Sequence, residues 1–235
     1  MRCLWNSYKG DRMELNKDII IKNYNNIQND IKKYSPYPEK VKILFVTKYF
    51  DVEEHQKIAD MGFNYFGENK AQLFRDKIKT IDNPELRWDF IGRLQKNKIK
   101  YIIKRVNLIH SIDTISLLEE VNEKACEIGR KVDVLIQVNV SHEETKTGFH
   151  VSELSDVFKV RADNINIRGL MTMAPLTDDE SELRKYFRET FEVKNDINKK
   201  YNLNLDELSM GMSNDYKEAL MEGATIVRIG SKLFE

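Results

Sequence analysis

Val132-Asp133-Val134-Leu135-Ile136-Gln137-Val138-Asn139-Val140 is the stretch on which the fold turns. It is β-branched and apolar at strand length, and such a run reads as a strand buried within a parallel sheet. Before it, residues 115–128 carry a helical pattern closed by Gly129, a residue suited to a helix C-cap. After it come a helical stretch at 151–162 and another strand at 165–172. The alternation continues toward both ends. Strands are expected at 41–47, 63–66, 88–91, 107–112, 205–210 and 225–229. Helices are expected at 52–61, with Asp51 as N-cap, and at 68–79, 95–105, 180–201 and 214–221, with Gly223 after the last. A further helix, roughly 15–34, precedes the first strand.

Eight strand–helix units mean a parallel sheet, and eight is the number at which such a sheet closes on itself. Spread over eight units, 235 residues give about 29 each, near the size of a βαβ step. An open doubly wound sheet is the rival, but it places a GxGxxG turn after its first strand. Here the first strand runs into Lys48-Tyr49-Phe50-Asp51, without glycine. The expected fold is α/β, a single (β/α)8 TIM barrel at 41–235, behind an N-terminal segment and extra leading helix at 1–40.

Composition narrows the function. Hydrophobic residues make up 41% and charged residues 32%, enough apolar side chain for a large core. Lys+Arg and Asp+Glu are 38 each, so no net charge draws the chain to nucleic acid or to an anionic membrane. No apolar run approaches the roughly 18 residues of a spanning helix, and the N-terminus does not read as a secretory signal. Cys3 and Cys126 are too few for a disulfide framework, which points to the cytoplasm. His55, His110, His142 and His150 show no metal-ligand spacing, so no metal is expected.

In barrels of this kind the chemistry sits on the loops after the strands. Lys48 ends the first strand, where a desolvated amine would be free to attack a carbonyl; a lysine snorkelling from a strand end is the plainer reading of the same position. Gly211-Met212-Ser213 and Gly230-Ser231 follow strands seven and eight, where barrels of this class often bind phosphate. Ser213 would cap the helix at 214–221, and a short terminal helix would occupy 232–235. Ordinary capping explains each pair as well. Arg228 interrupts an apolar strand and would be a donor-only group if it faced the barrel mouth, or an ion-pair partner if it faced outward.

Six motifs occur in order: Phe45-Val46-Thr47-Lys48, Phe66-Gly67-Glu68-Asn69, residues 90–98 beginning Phe90-Ile91-Gly92-Arg93, residues 168–173, residues 208–215, and Val227-Arg228-Ile229-Gly230. Together they resemble the pyridoxal phosphate homeostasis protein family (YggS or PROSC), whose members look like the alanine racemase N-terminal barrel standing alone. The resemblance covers about residues 43–234. It implies that Lys48 carries pyridoxal 5′-phosphate (PLP) as a Schiff base. It also implies that Ser213, Gly230 and Ser231 hold the phosphate, with Met212 and Ile229 nearby. Arg228 would meet the pyridine nitrogen, Asn69 would lie close to the ring, and Lys146 would lie near the mouth. Two departures stand out. Phe50 occupies the place of a second family lysine, which puts in question any transfer through that lysine, and Tyr216 replaces the usual methionine, a change expected to matter little.

An arginine at the pyridine nitrogen has no acceptor, so it leaves the nitrogen unprotonated and the ring a weak electron sink. That disfavours transamination and decarboxylation. Racemisation tolerates a weak sink but needs a second base, which alanine racemases take from a C-terminal domain for which this chain is expected to have no counterpart. The implied function is intracellular PLP homeostasis without catalytic residues or established turnover, by a monomer whose partners are PLP and PLP-dependent apo-enzymes. The alternatives are a fold-type III PLP enzyme such as a low-activity amino acid racemase, and a barrel binding another phosphorylated metabolite.

Overall fold

The computed structural model describes residues 15–81, 83–141, 143 and 147–235; Cys3, His142 and Lys146 lie outside the described residues. Eight parallel strands close into a barrel in sequence order: β1 (Lys42–Val46), β2 (Tyr65–Glu68), β3 (Arg87–Phe90), β4 (Leu108–Ile112), β5 (Val132–Gln137), β6 (Ile165–Met171), β7 (Glu207–Met212) and β8 (Ile226–Ile229). Closure is the pairing of β1 with β8, with Leu44 opposite Arg228 and Phe45 opposite Ile229. The helices are α1 (Lys17–Tyr34), α2 (Val52–Asp60), α3 (Ala71–Thr80), α4 (Ile99–Ile102), α5 (Ile115–Glu127), α6 (Leu154–Val157), α7 (Glu180–Tyr201), α8 (Tyr216–Met221) and α9 (Ser231–Phe234).

The period of two along each strand divides its side chains between two cores. In β5, Val132, Val134 and Ile136 pack outward under the helices, whereas Leu135 points into the barrel. Ile43 and Phe45 do the same around Leu44, and Val227 and Ile229 face away from Ile226. The interior holds Leu44, Leu108, Leu135, Met171 and Ile226. Because both faces are apolar, the strands read as continuous runs rather than alternating ones.

Local chemistry sets the helix ends. Asp51 caps α2 in a reciprocal capping box with Glu54. Thr114 accepts from Leu117 N at the start of α5 (3.2 Å), and Gly129 follows that helix with φ +63°.

Several expected boundaries are corrected. Glu68 belongs to β2, opposite Phe90, so the helix begins at Ala71 rather than at 68. The stretch 95–105 is a 3-10 turn (Lys96–Lys98) followed by the single turn α4. The Arg130 guanidinium binds the carbonyls of Ile103 and Val106 (2.6 and 2.5 Å), taking acceptors a longer helix would use itself. The stretch 151–162 is likewise only a 3-10 turn (Val151–Glu153) and α6. Beyond β5 the chain leaves the sheet at Gln137, and Asn139 N donates to the carbonyl of Phe149 (3.0 Å).

Helix α1 lies outside the barrel against α8 and α9. Ile20, Ile27 and Ile31 are its buried stripe, and the Tyr24 ring packs on Phe45 and Phe63 (centroids 5.8 and 5.1 Å). The Tyr216 hydroxyl donates to the Asp30 carboxylate of α1. Tyr216 therefore matters more than its substitution for methionine suggested, since it docks the leading helix.

Candidate functional site

Strands β7, β8, β1 and β2 are consecutive neighbours in the closed sheet. The loops after them bring Ser213, Gly230 and Ser231, Lys48 and Asn69 to one arc of the rim. Sequence reasoning named these residues from four separate segments, and closure makes them adjacent.

Lys48 stands two residues beyond β1, half-buried, with Nζ 4.8 Å from the centroid of the exposed Tyr49 ring. It lies in the turn rather than within the strand. The peptide that carries it is held firmly. The Thr47 carbonyl accepts from Lys77 Nζ (2.8 Å) and from Phe50 N (3.1 Å), and Thr47 N donates to the Gly67 carbonyl (3.1 Å). Lys77 also reaches Glu68 Oε1 (3.0 Å), which accepts the Thr47 hydroxyl (3.1 Å). Both charged side chains are buried, at 1% and 0% exposure. Burial pushes Glu68 up against the pull of Lys77, and pushes Lys77 down against the pull of Glu68. Sequence reasoning missed this pair. The signal was there: Lys77 falls on the stripe of α3 with Ala71 and Phe74.

Phe50, in the place of the family's second lysine, is buried, with its ring edge-on to Phe234 of α9 (4.6 Å). Asn69 follows β2, and its Oδ1 is buried without a hydrogen-bond partner. Gly92 is obligatory beside it, because a Cβ there would stand 2.0 Å from the Asn69 carbonyl oxygen. Glu68 Oε2 nearby is likewise buried without a partner, so two acceptors in this region have open hydrogen-bonding capacity.

On the other side of Lys48, Gly211 takes φ +88°, and a Cβ there would collide with Ala219 Cβ at 2.6 Å. Ser213 does not cap the helix that follows, as expected, since α8 starts at Tyr216. Asp215 Oδ1 instead accepts from Met212 N (2.6 Å), and the Ser213 hydroxyl accepts from Gly230 N (3.2 Å) and Lys232 N (3.4 Å). The two loops are thereby tied together. They border a cleft of about 360 Å³ that Ser213, Asn214, Ser231 and Lys232 share with Asn23 and Asn26 of α1. No motif pointed to the two asparagines. Met212 is 40% exposed at the rim, while the Ile229 side chain packs outward, so only its backbone faces the loop.

Arg228 faces inward, which decides between its two sequence readings. Its Nη1 donates to the Ser209 carbonyl (2.8 Å) and hydroxyl (2.7 Å), and Nη2 to the Thr172 carbonyl (2.9 Å). Burial lowers it to about 10, with Asp215 pulling the other way. A planar cation is thus fixed under the rim by neutral acceptors.

The alanine racemase N-terminal domain model matches residues 16–235. A pyridoxal phosphate homeostasis protein of Aquifex aeolicus is 40% identical over 195 residues, 82% of this chain and 86% of that protein. The chain belongs to the pyridoxal phosphate homeostasis protein family. A second member, from Helicobacter pylori, is 36% identical over 200 residues, 83% of this chain and 87% of that protein. Among solved structures, PipY of Synechococcus elongatus with PLP bound superposes with a TM-score of 0.80 at 29% identity, covering 92% of this chain and 100% of that one. The alanine racemase of Clostridium difficile shares the fold, with a TM-score of 0.71 at 18% identity over 93% of this chain and 57% of that one.

Proposed function

We propose that the chain binds PLP and serves PLP homeostasis, with Lys48 holding the cofactor covalently. The observation that carries the reading is the arc formed by β7, β8, β1 and β2. It sets an amine (Lys48), an unpaired amide oxygen (Asn69), tied loops of hydroxyls and backbone N–H groups (Ser213, Gly230, Ser231) and a buried cation (Arg228) around one mouth. These match the needs of an aldehyde, a ring, a phosphate and a pyridine nitrogen. Bound PLP supplies a carbonyl for the amine and a ring that withdraws electrons. The chain's own residues do the rest: Lys77 and Phe50 N fix the peptide beside Lys48, Ser213 joins the anion-facing loops, Met212 and the Ile229 backbone border them, and Arg228 offers hydrogen-bond donors alone.

Since Arg228 gives the ring nitrogen no acceptor, transamination and decarboxylation are disfavoured, and the reading is of a holder of PLP, with racemisation left to the assay below. The names of the relatives support it. The same reading takes the barrel, 41–235, as the PLP-binding unit behind the segment 1–40, acting as a monomer in the cytoplasm and passing PLP to apo-enzymes. Among the described residues Cys126 is a free, exposed thiol and no helix is long and apolar enough to cross a membrane.

Addition of PLP should produce a visible absorbance band, and borohydride should fix one PLP on the peptide containing Lys48. Lys48→Ala should remove both while leaving the melting temperature within a few degrees of wild type. A band that survives Lys48→Ala refutes the assignment. Saturable amino acid racemisation by the purified protein would instead assign the chain to the fold-type III PLP enzymes.

A further inference from the structure

Below Arg228 a line of polar side chains crosses the barrel interior, and of these the site described above uses only Ser209. Ser209 of β7, His110 of β4 and Asp89 of β3 are each 0% exposed, in a barrel that also holds the apolar cluster of Leu44, Leu108, Leu135, Met171 and Ile226. Arg228 Nη1 donates to Ser209 Oγ at 2.7 Å. Ser209 Oγ lies 2.9 Å from His110 Nδ1, and His110 Nε2 lies 2.9 Å from Asp89 Oδ2. The same carboxylate oxygen accepts the Tyr65 hydroxyl of β2.

One assignment of these bonds gives every proton in the line an acceptor. A guanidinium has no acceptor, so Ser209 Oγ accepts from it and keeps its own single proton to donate. His110 Nδ1 is the acceptor in reach, and in this assignment it is bare. The ring proton then sits on Nε2, where Asp89 Oδ2 receives it. A proton on Nδ1 instead would donate to the second lone pair of Ser209 Oγ and leave the serine proton without an acceptor in the line; on a neutral ring it would also set bare Nε2 against the Asp89 carboxylate. The carboxylate of β3 thus fixes the histidine tautomer, the tautomer fixes the serine hydroxyl, and the hydroxyl fixes the guanidinium.

We propose that His110, locked by Asp89, is a positioning residue for Arg228, acting through Ser209 on whatever the guanidinium meets at the barrel mouth. Applied to PLP, the proposal rests on the reading that the cofactor's ring nitrogen faces Arg228. It gives a role to four polar residues, spread over four strands, that a close-packed apolar interior would not otherwise retain.

The test uses the full-length protein and three readouts. Nitrogen NMR of the histidines without PLP should find His110 protonated on Nε2 and bare on Nδ1; a proton on Nδ1 overturns the proposal. The Arg228 Nη–H signals should exchange slowly in the wild type and at least ten-fold faster in His110→Leu and Ser209→Ala. Unchanged exchange in both variants also overturns it. With PLP added, both variants should shift the visible band and retain the cofactor roughly ten-fold less well, the order expected for one hydrogen bond to a charged group. A His110→Leu protein that melts normally yet matches the wild type in band position and retention overturns the proposal. A merely structural histidine would lower the melting temperature without moving the band. Absence of any band in the wild type would refute the PLP reading, while the first two readouts still judge the relay on its own.

Discussion

At the scale of single residues, Phe50 shows how a site can exchange chemistry for packing. Where the family's motif carries a second amine, this chain buries an aromatic ring against Phe234. Phe50→Ala should cost about 3 kcal/mol, read as a lower denaturant midpoint with an unchanged slope. Lys48 drew notice in the sequence as the end of an apolar run, although β1 stops at Val46 and the lysine stands in the turn beyond it. Lys77 was not singled out, although a lysine on the buried stripe of a short helix is the kind of residue that composition hides. Asn69 gained its meaning only from burial: an asparagine after a strand is common, and one whose carbonyl oxygen is sealed and unpaired is not.

At the scale of elements, two charge clusters join neighbouring segments in opposite regimes. The Lys77–Glu68 pair ties α3 to β2 in a dry setting, where desolvation opposes both charges. Lys77→Met alone should cost about 3–5 kcal/mol by leaving Glu68 unpaired, and adding Glu68→Gln should recover much of the loss. Glu68 is raised above its ordinary 4.5, so its folded form holds its proton more tightly. In Lys77→Met the stability should therefore fall as pH rises from about 4.5 through the folded value, and pH-dependent melting reads this directly.

Glu222, just after α8, behaves in the reverse way. Desolvation would raise it, but hydrogen bonds from Arg188 and Arg184 of α7 outweigh that and hold it below 4.5. Its contribution is present above pH 4.5 and is lost as pH falls through the folded value. Glu222→Gln should flatten that acid limb by about 1 kcal/mol, a figure discounted because the arginines are 43% and 56% exposed.

At the scale of the whole molecule, closure of β1 on β8 and the docking of α1 decide what the elements can do together. The leading helix is fixed to the barrel by its isoleucine stripe, by Asn23 Nδ2 to the Leu233 carbonyl (3.4 Å) and by Tyr216 to Asp30. Tyr216→Phe should speed amide exchange in α1 several-fold while the strand amides stay protected, because the lost bond to a carboxylate is worth about 1.5 kcal/mol. By itself the sequence determined the strand–helix alternation, the count of eight and the ordered rim motifs, since periodicity and glycine placement are local properties. The tertiary structure alone decided that Arg228 points inward, that Ser209, His110 and Asp89 line up beneath it, and that Asn23 and Asn26 border the rim cleft. In a strand buried on both faces the apolar pattern does not mark which side is interior, and contacts between residues as far apart as β1 and β8 exist only once the cylinder has closed.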